Sequence, residues 1–227
     1  MKPRSDTIIV IPAYNEQDNI GGVINVARCF GGVLVVDDGS SDNTSIIAKR
    51  AGANVLCLES NKGYDAALMA GLKEAVSIGA KFVVSLDGDG QIGHKCLENM
   101  VLQLWSGRSK LIIGERTKSA RPSEKIFNIY VQWKYGVKDI LCGLKGYHSD
   151  LLKNHDGIGC PDSVGTEVAL LCLRDKVPFS CVDVVVKERA HGNSRFGGGI
   201  KPNLEILRAL QRCLWKDLIS INKRAAK

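Results

Sequence analysis

The chain has 227 residues, 44% hydrophobic and 24% charged, which is enough to bury a full core and too little for two large domains. Its formal net charge of +7 suits an anionic partner such as a nucleotide diphosphate or a phospholipid surface, while the lack of aromatics interleaved with the basic residues argues against a nucleic-acid stacking platform. No window approaches the roughly 18 apolar residues of a spanning helix, so any membrane contact is expected to be peripheral. MKPRSDTIIV at the N-terminus lacks the long apolar core of a signal peptide. The eight cysteines show no C-x-x-C spacing and read as small packed hydrophobes of a reducing, cytoplasmic compartment.

In chain order, five continuous Ile/Val-rich runs stand out: TIIVI (7–11), VLVV (33–36), NVLCL (54–58), FVVSL (82–86) and KLII (110–113). Continuous rather than alternating runs predict strands covered on both faces. Helical spacing falls between them, over 19–30, after the SSDNT turn where Ser41 or Asp42 can cap, over 64–77 and over 95–105. Alternating strand and helix predict βαβ units on a mostly parallel, Rossmann-like sheet with helices on both faces, an α/β fold. The second half is less regular, with helices at 123–137, 166–174 and 203–222 and a strand at SCVDVVV (180–186). A single domain is expected, with 1–120 as its nucleotide-binding half, 121–200 as its acceptor half and 201–227 as a C-terminal amphipathic helix.

Ligands of open α/β sheets bind beyond the carboxyl ends of the strands. Those ends read PAYNE (12–16), DDGSSD (37–42), NKGYD (61–65), DGDGQ (87–91) and GER (114–116). Neither G-x-G-x-x-G nor the P-loop pattern is present at these turns. In an extended segment Asp87 and Asp89 point to one side, and Gly88 and Gly90 leave the backbone open to close approach. Two converging carboxylates suit a hard cation, Mg²⁺ or Mn²⁺, completed by substrate phosphates and water, and Gln91 continues the same series as a third oxygen. An EF-hand fails at its sixth position, where Ile92 replaces the required glycine. For D-G-D by itself a solvated turn stands as the alternative.

The blocks IIVIPAYNEQDNI, VLVVDDGSSDNT, NKGYDAALMAGLKEA, VVSLDGDGQ, IIGER, DILCGLKGY and ERAHGNSRF occur in that order over about residues 7–200. With them the chain resembles the family 2 glycosyltransferases of the GT-A fold, in the branch of dolichyl-phosphate mannose synthase and the polyprenyl-phosphate glycosyltransferases. The resemblance implies a D-x-D metal site at Asp87, Asp89 and Gln91, a nucleotide-sugar site at Pro12, Ala13, Tyr14, Glu16, Asp38, Lys62, Gly63, Asp87 and Gly88, and an arginine near the reacting phosphates at Arg116. It further implies that Asp139, Gly143 and Tyr147 shape the acceptor side. Arg189, Ser194 and Arg195 would clamp the acceptor phosphate. Glu167 falls where the family carries an acid at a helix start.

The residues also admit plainer readings: an ion pair of Arg116 with Glu115 or Asp139, a first-turn glutamate favouring the helix dipole at Glu167, and simple packing for Cys142. Gln91 is followed by Ile92-Gly93-His94 where family members often have His-x-Pro. The expected activity is metal-dependent, inverting transfer from a GDP- or UDP-linked sugar to a polyprenyl phosphate, with Asp89, Arg116, Glu167 and Arg195 as the catalytic set. A sugar hydroxyl acceptor, with Glu167 as general base, and a non-catalytic nucleotide-sugar-binding module are the alternatives. On a helical projection Arg208, Arg212, Lys216 and Lys223 cluster on one side of the C-terminal helix. Leu207, Leu210, Leu214, Leu218 and Ile221 fall opposite, with Trp215 at the border, a pattern shared by membrane-surface helices and ordinary packed ones.

Overall fold

The computed structural model describes residues 3–117, 121–154, 164–187 and 200–225. Among the described residues seven strands form one sheet: β1 (Arg4–Ala13), β2 (Gly31–Asp37), β3 (Asn54–Cys57), β4 (Phe82–Ser85), β5 (Leu111–Arg116), β6 (Lys145–His148) and β7 (Phe179–Val184). The order across the sheet is β3-β2-β1-β4-β6-β5-β7. Every pairing is parallel except those of β6, which runs antiparallel to both β4 and β5.

Eight helices accompany them among the described residues: α1 (Ile20–Ala27), α2 (Thr44–Arg50), α3 (Tyr64–Ser77), α4 (His94–Trp105), α5 (Pro122–Tyr135), α6 (Ser149–Asn154), α7 (Val164–Arg174) and α8 (Ile200–Ala225). The six predicted strands and the seven predicted helices are all present, within a few residues at their ends. β6 and α6 are additions. β6 reads KGYH, with no apolar run to announce it.

The continuous apolar runs are explained by two cores, one on each face of the sheet. Ile8 and Val10 of β1 face a core with Leu68 and Leu72 of α3, Phe127 of α5, Val168 of α7 and Leu210 of α8. Ile9 and Ile11 face the other way, onto Ile20 and Ile24 of α1 and Leu97 and Met100 of α4. Each such side chain removed from water contributes about 1.5–3 kcal/mol. α3 approaches the sheet so closely that a Cβ on Gly71 would lie 2.4 Å from Val10 Cγ1 and 2.8 Å from Val36 Cγ2. A glycine there sets the height of the helix whose first turn serves the site.

α8 docks through a polar node rather than through leucines alone. The buried carboxylate of Asp217 accepts hydrogen bonds from Tyr130 Oη at 2.6 Å, Tyr135 Oη at 2.7 Å and Arg174 Nε at 2.6 Å. It also pairs with Lys134 Nζ at 2.9 Å. Around this node Ala209, Leu210 and Cys213 are buried, whereas Leu207 and Leu214 are exposed. The projected leucine face is thus divided: Leu210 turns inward and its two neighbours face solvent. The side chains of Leu218, Ile221 and Lys223 lie outside the described residues.

Burial opposes the Asp217 charge, but Arg174, the two tyrosines and Lys134 outweigh it and pull the carboxyl down to about 2. A carboxyl lowered from ~3.9 stabilises the fold fully above that value and loses its contribution as pH falls through the folded value. Asp217→Ala strands Arg174 and Lys134 beside a cavity. It should cost about 3–5 kcal/mol, read as a lower urea midpoint near neutral pH, and should flatten the acid limb of stability below pH ~4.

Candidate active site at the carboxyl edge of the sheet

The carboxyl ends of β1, β2, β3 and β4 bring the predicted nucleotide residues together. Parallel pairing sets Ala13 beside Asp37 and Val10 beside Ser85. The Asp38 N–H donates to the Ala13 carbonyl at 2.8 Å. A Cβ on Gly88 would lie 3.1 Å from the Pro12 carbonyl oxygen, so the D-G-D turn rests against the PAYNE turn. The buried Asp38 carboxylate accepts the backbone N–H groups of Lys62 at 2.8 Å and Gly63 at 2.9 Å, one on each oxygen. Asp38 therefore fixes the NKG loop, with Lys62 exposed beyond it. Glu16 is buried, anchored through its N–H to Thr44 Oγ1 at 2.8 Å, and accepts Asn19 Nδ2 at 2.8 Å.

Asp87 is held from two sides. Tyr64 Oη donates to its Oδ1 at 2.8 Å, and a Cβ on Gly143 would fall 2.3 Å from its Oδ2. Any side chain at position 143 would evict the carboxylate. Burial first, and the neighbouring Asp89 charge second, push the Asp87 carboxyl above its usual range. Two carboxylates crowded into one partly dry turn are the donor chemistry that a hard divalent cation satisfies.

Among the described residues no three His, Cys, Asp or Glu side chains converge as a closed metal cage. A cation here would therefore take Asp87 and Asp89 and complete its shell with phosphate oxygens and water. Gln91 donates its Nε2 to the Lys187 carbonyl at 3.0 Å and its N–H to Asp89 Oδ1 at 3.1 Å. Its main-chain carbonyl accepts the Lys187 N–H at 2.9 Å, so the side-chain oxygen Oε1 is the atom that could face a metal. Through Gln91 and the Ile92–Val186 bridge, the D-G-D turn is joined to the segment leaving β7.

On the far side of Asp87, Arg116 makes a fork with Asp139, Nε to Oδ2 at 2.6 Å and Nη2 to Oδ1 at 3.1 Å. It reaches Glu124 Oε2 at 3.2 Å. Glu115 is not its partner; that carboxylate accepts the Lys138 N–H at 2.6 Å. Burial opposes the Arg116 charge, yet Asp139 and Glu124 hold the guanidinium above its ordinary value. Asp139 is also gripped by Asn128 Nδ2 at 3.1 Å, and Arg121 Nη1 meets Glu124 Oε1 at 3.3 Å. The Arg116 charge acts on Asp87 as well, favouring its ionised form.

Beneath them Lys145 of β6 is buried, donates to the Cys142 carbonyl, and has its pKa pulled down by desolvation. Cys142 is buried with its thiol pushed up to about 11, chiefly by burial, and packs as a neutral side chain. Tyr147 lies in the core and donates to the Gly165 carbonyl at 3.3 Å, so it steadies the start of α7 and does not line the cleft.

Glu167, in the first turn of α7, is buried and paired with Lys216 Nζ of α8 at 2.7 Å. Arg189, Ser194 and Arg195 lie outside the described residues. Sequence reasoning missed Tyr64, Arg121, Glu124 and Lys145. Tyr64 adjoins the NKG block and Glu124 opens a helix, but their partners stand 23 and 8 residues from them, and neither spacing is a motif.

Residues 8–160 match the family model Glycosyl transferase family 2. Polyprenol monophosphomannose synthase of Mycolicibacterium smegmatis is 29% identical over 223 residues, 87% of this chain and 83% of that one. UDP-N-acetylglucosamine-dolichyl-phosphate N-acetylglucosaminyltransferase of Methanococcus voltae is 27% identical over 176 residues, 64% of this chain and 70% of that one. Among solved structures, glucosyl-3-phosphoglycerate synthase from Mycobacterium tuberculosis, in complex with Mn²⁺, uridine diphosphate and glucosyl-3-phosphoglycerate, matches with a TM-score of 0.70 at 22% identity. It covers 94% of this chain and 79% of that one, a likeness of fold. With its family match spanning more than half its length and its carboxylates and arginines gathered at one sheet edge, the chain belongs to glycosyl transferase family 2 and is a glycosyltransferase of the GT-A fold.

Proposed function

We propose that the protein transfers a sugar, with inversion, from a GDP- or UDP-linked donor to a polyprenyl phosphate at a membrane surface. The observation that carries this reading is the Asp87–Asp89 turn set between the nucleotide loops on one side and Arg116 on the other. The names of the relatives support the acceptor class: one is a polyprenol monophosphomannose synthase and another acts on dolichyl phosphate. Asp87 and Asp89 would hold Mg²⁺ or Mn²⁺, which when bound supplies charge compensation for the departing diphosphate. Pro12, Ala13, Tyr14, Glu16, Asp38, Lys62, Gly63 and Gly88 would frame the nucleotide. Arg116 would add a fixed cation beside the phosphates, and Arg189, Ser194 and Arg195 would clamp the acceptor.

In this reaction a phosphate oxygen of the lipid bonds to the anomeric carbon as the bond from that carbon to the diphosphate breaks, in line and on the opposite face. The attacking oxygen is already ionised near neutral pH, so no general base is required. The state of Glu167 agrees with that economy. Its carboxylate is already engaged by Lys216 Nζ at 2.7 Å, so we assign Glu167 to fastening α7 on α8. A sugar hydroxyl acceptor would instead require Glu167 to leave Lys216 and take a proton.

The surface formed by α5 and α8 supports a lipid acceptor. Ile126, Ile129 and Trp133 of α5 share one exposed stripe, Trp133 being 80% exposed and Ile129 67%. Leu204, Leu207, Leu214 and Trp215 are exposed on α8, which is tied to α5 by the Asp217 node and by Ser123 Oγ to Asn203 Oδ1 at 2.6 Å. On α8 a cleft of about 390 Å³ is lined by Arg208, Gln211, Arg212, Trp215 and Lys216. Apolar side chains flanked by cations form the chemistry of an interfacial face for anionic lipid. No helix among the described residues is long and apolar enough to cross a membrane.

Asp89→Ala should reduce sugar transfer at least ~100-fold with the fold intact, and chelator should do the same to the unaltered protein; activity retained within tenfold, about 1.4 kcal/mol of barrier, would overturn the metal assignment. Calorimetry with UDP- and GDP-sugars followed by product analysis identifies the donor and separates turnover from binding alone. The protein should also sediment with anionic liposomes at low salt, and a Trp133→Ser, Trp215→Ser double variant should lose most of that binding. Absence of liposome binding, together with transfer to sugar hydroxyls and to no lipid phosphate, would replace this reading with the hydroxyl one.

A further inference from the structure

Glu124 occupies a position that charge balance makes conspicuous. Its carboxylate lies between two guanidiniums, one oxygen on each, Oε2 on Arg116 at 3.2 Å and Oε1 on Arg121 at 3.3 Å. It is only 5% exposed. One oxyanion bridging two arginines is also the arrangement a phosphate group adopts between them. Asp139 shares Arg116 but is a different kind of partner. It receives Arg116 Nε at 2.6 Å, the Arg116 and Leu141 N–H groups at 3.2 Å each, and Asn128 Nδ2 at 3.1 Å, so it is locked in place as the support of Arg116. The Glu124 contacts are longer than the Asp139 fork, and its side chain stems from the first turn of α5, where a change of rotamer moves the carboxylate without disturbing the helix. The pairings with Asp139 and Glu124 offset the charge that the two arginines could offer an incoming anion.

Resting on the acceptor reading above, we propose that Glu124 is a built-in competitor for the acceptor phosphate: it fills the anion site between Arg116 and Arg121 and is displaced when the phosphate arrives. Doubly charged, with three terminal oxygens, a phosphate monoester makes stronger forked bonds to guanidinium than a carboxylate does. It can take the place from Glu124, whereas a neutral sugar hydroxyl has no charge with which to do so. Glu124 thereby keeps the arginines aligned and neutralised in the absence of acceptor and selects for acceptors that carry a phosphate.

The test is steady-state transfer to a short-chain, water-dispersible prenyl phosphate, which needs no bilayer, with calorimetry of the same prenyl phosphate and of UDP and GDP. Glu124→Gln removes the charge and keeps the shape. It should lower the acceptor KM, and the Kd for prenyl phosphate, by about threefold or more, with nucleotide affinity changed by less than about twofold. A bracing role predicts the opposite sign. An acceptor KM that rises or stays level in Glu124→Gln, with the wild type binding prenyl phosphate, overturns the competitor role and leaves the acceptor reading intact. No heat and no transfer with prenyl phosphate in the wild type overturns that reading, and the proposal with it. Should Glu124→Gln fail to fold, Glu124→Asp withdraws the carboxylate from the arginines and carries the same expectation and the same refutation.

Discussion

Crowding of two like charges at Asp87 and Asp89 is the constraint from which the rest of the sheet's carboxyl edge follows. Left to itself, Asp87 would turn to water or take up a proton, because burial and its neighbour both disfavour its anion. The fold keeps the carboxylate in place by contact rather than by a direct ion pair. Tyr64 gives it one hydrogen bond, and Gly143 gives it room that no other residue would leave. These two supports come from opposite halves of the chain, α3 and the turn before β6. The cations are stationed one step away: Arg116 is forked to Asp139, and Lys145 is capped by a carbonyl beneath. The two carboxylates thus stay together while Arg116 is kept on Asp139 rather than collapsing onto them.

The same separation governs the second half. Four cations of this half each have an acid of their own: Arg116 with Asp139, Arg121 with Glu124, Lys216 with Glu167, Arg174 with Asp217. Buried pairs of this kind add little net stability, since desolvation offsets their attraction, but breaking one leaves a costly orphan. They act as registry pins. Through Lys216 and Asp217 the last helix is registered against α7 and α5, which decides which of its apolar side chains face outward.

How much of this was legible in the sequence depends on the range over which each feature is encoded. The apolar runs of β1, β2, β4 and β5 declare doubly covered strands locally, and the polar turns after them declare the edge. β6 could not be read that way. Lys145 and Gly146 have no strand signature, and they are buried only because β4 and β5 close on both sides. The D-G-D turn was legible as a pair of converging carboxylates, but not the hydroxyl and the glycine that hold it. Glu167 resembled a helix-start acid because Lys216 stands 49 residues away. For α8 the projection grouped Leu207, Leu210 and Leu214 as one face; in the fold, Asp217 draws the inner seam toward Ala209, Leu210 and Cys213, a rotation that no count of leucines reveals.

The reversed strand also bears on how the molecule can assemble. Because β6 is inserted between β4 and β5, β5 has no neighbour in the sheet until residues 145–148 arrive, and its other neighbour, β7, comes later still. The first four strands therefore form a paired structure, with an unpaired backbone edge on β4 where β6 will lie. During synthesis that edge stays open while some sixty further residues emerge, and its closure is a long-range event of the kind that slows folding. The chain consequently cannot be cut between β4 and β6 without leaving that edge open: the strand that completes the first four is supplied from beyond β5.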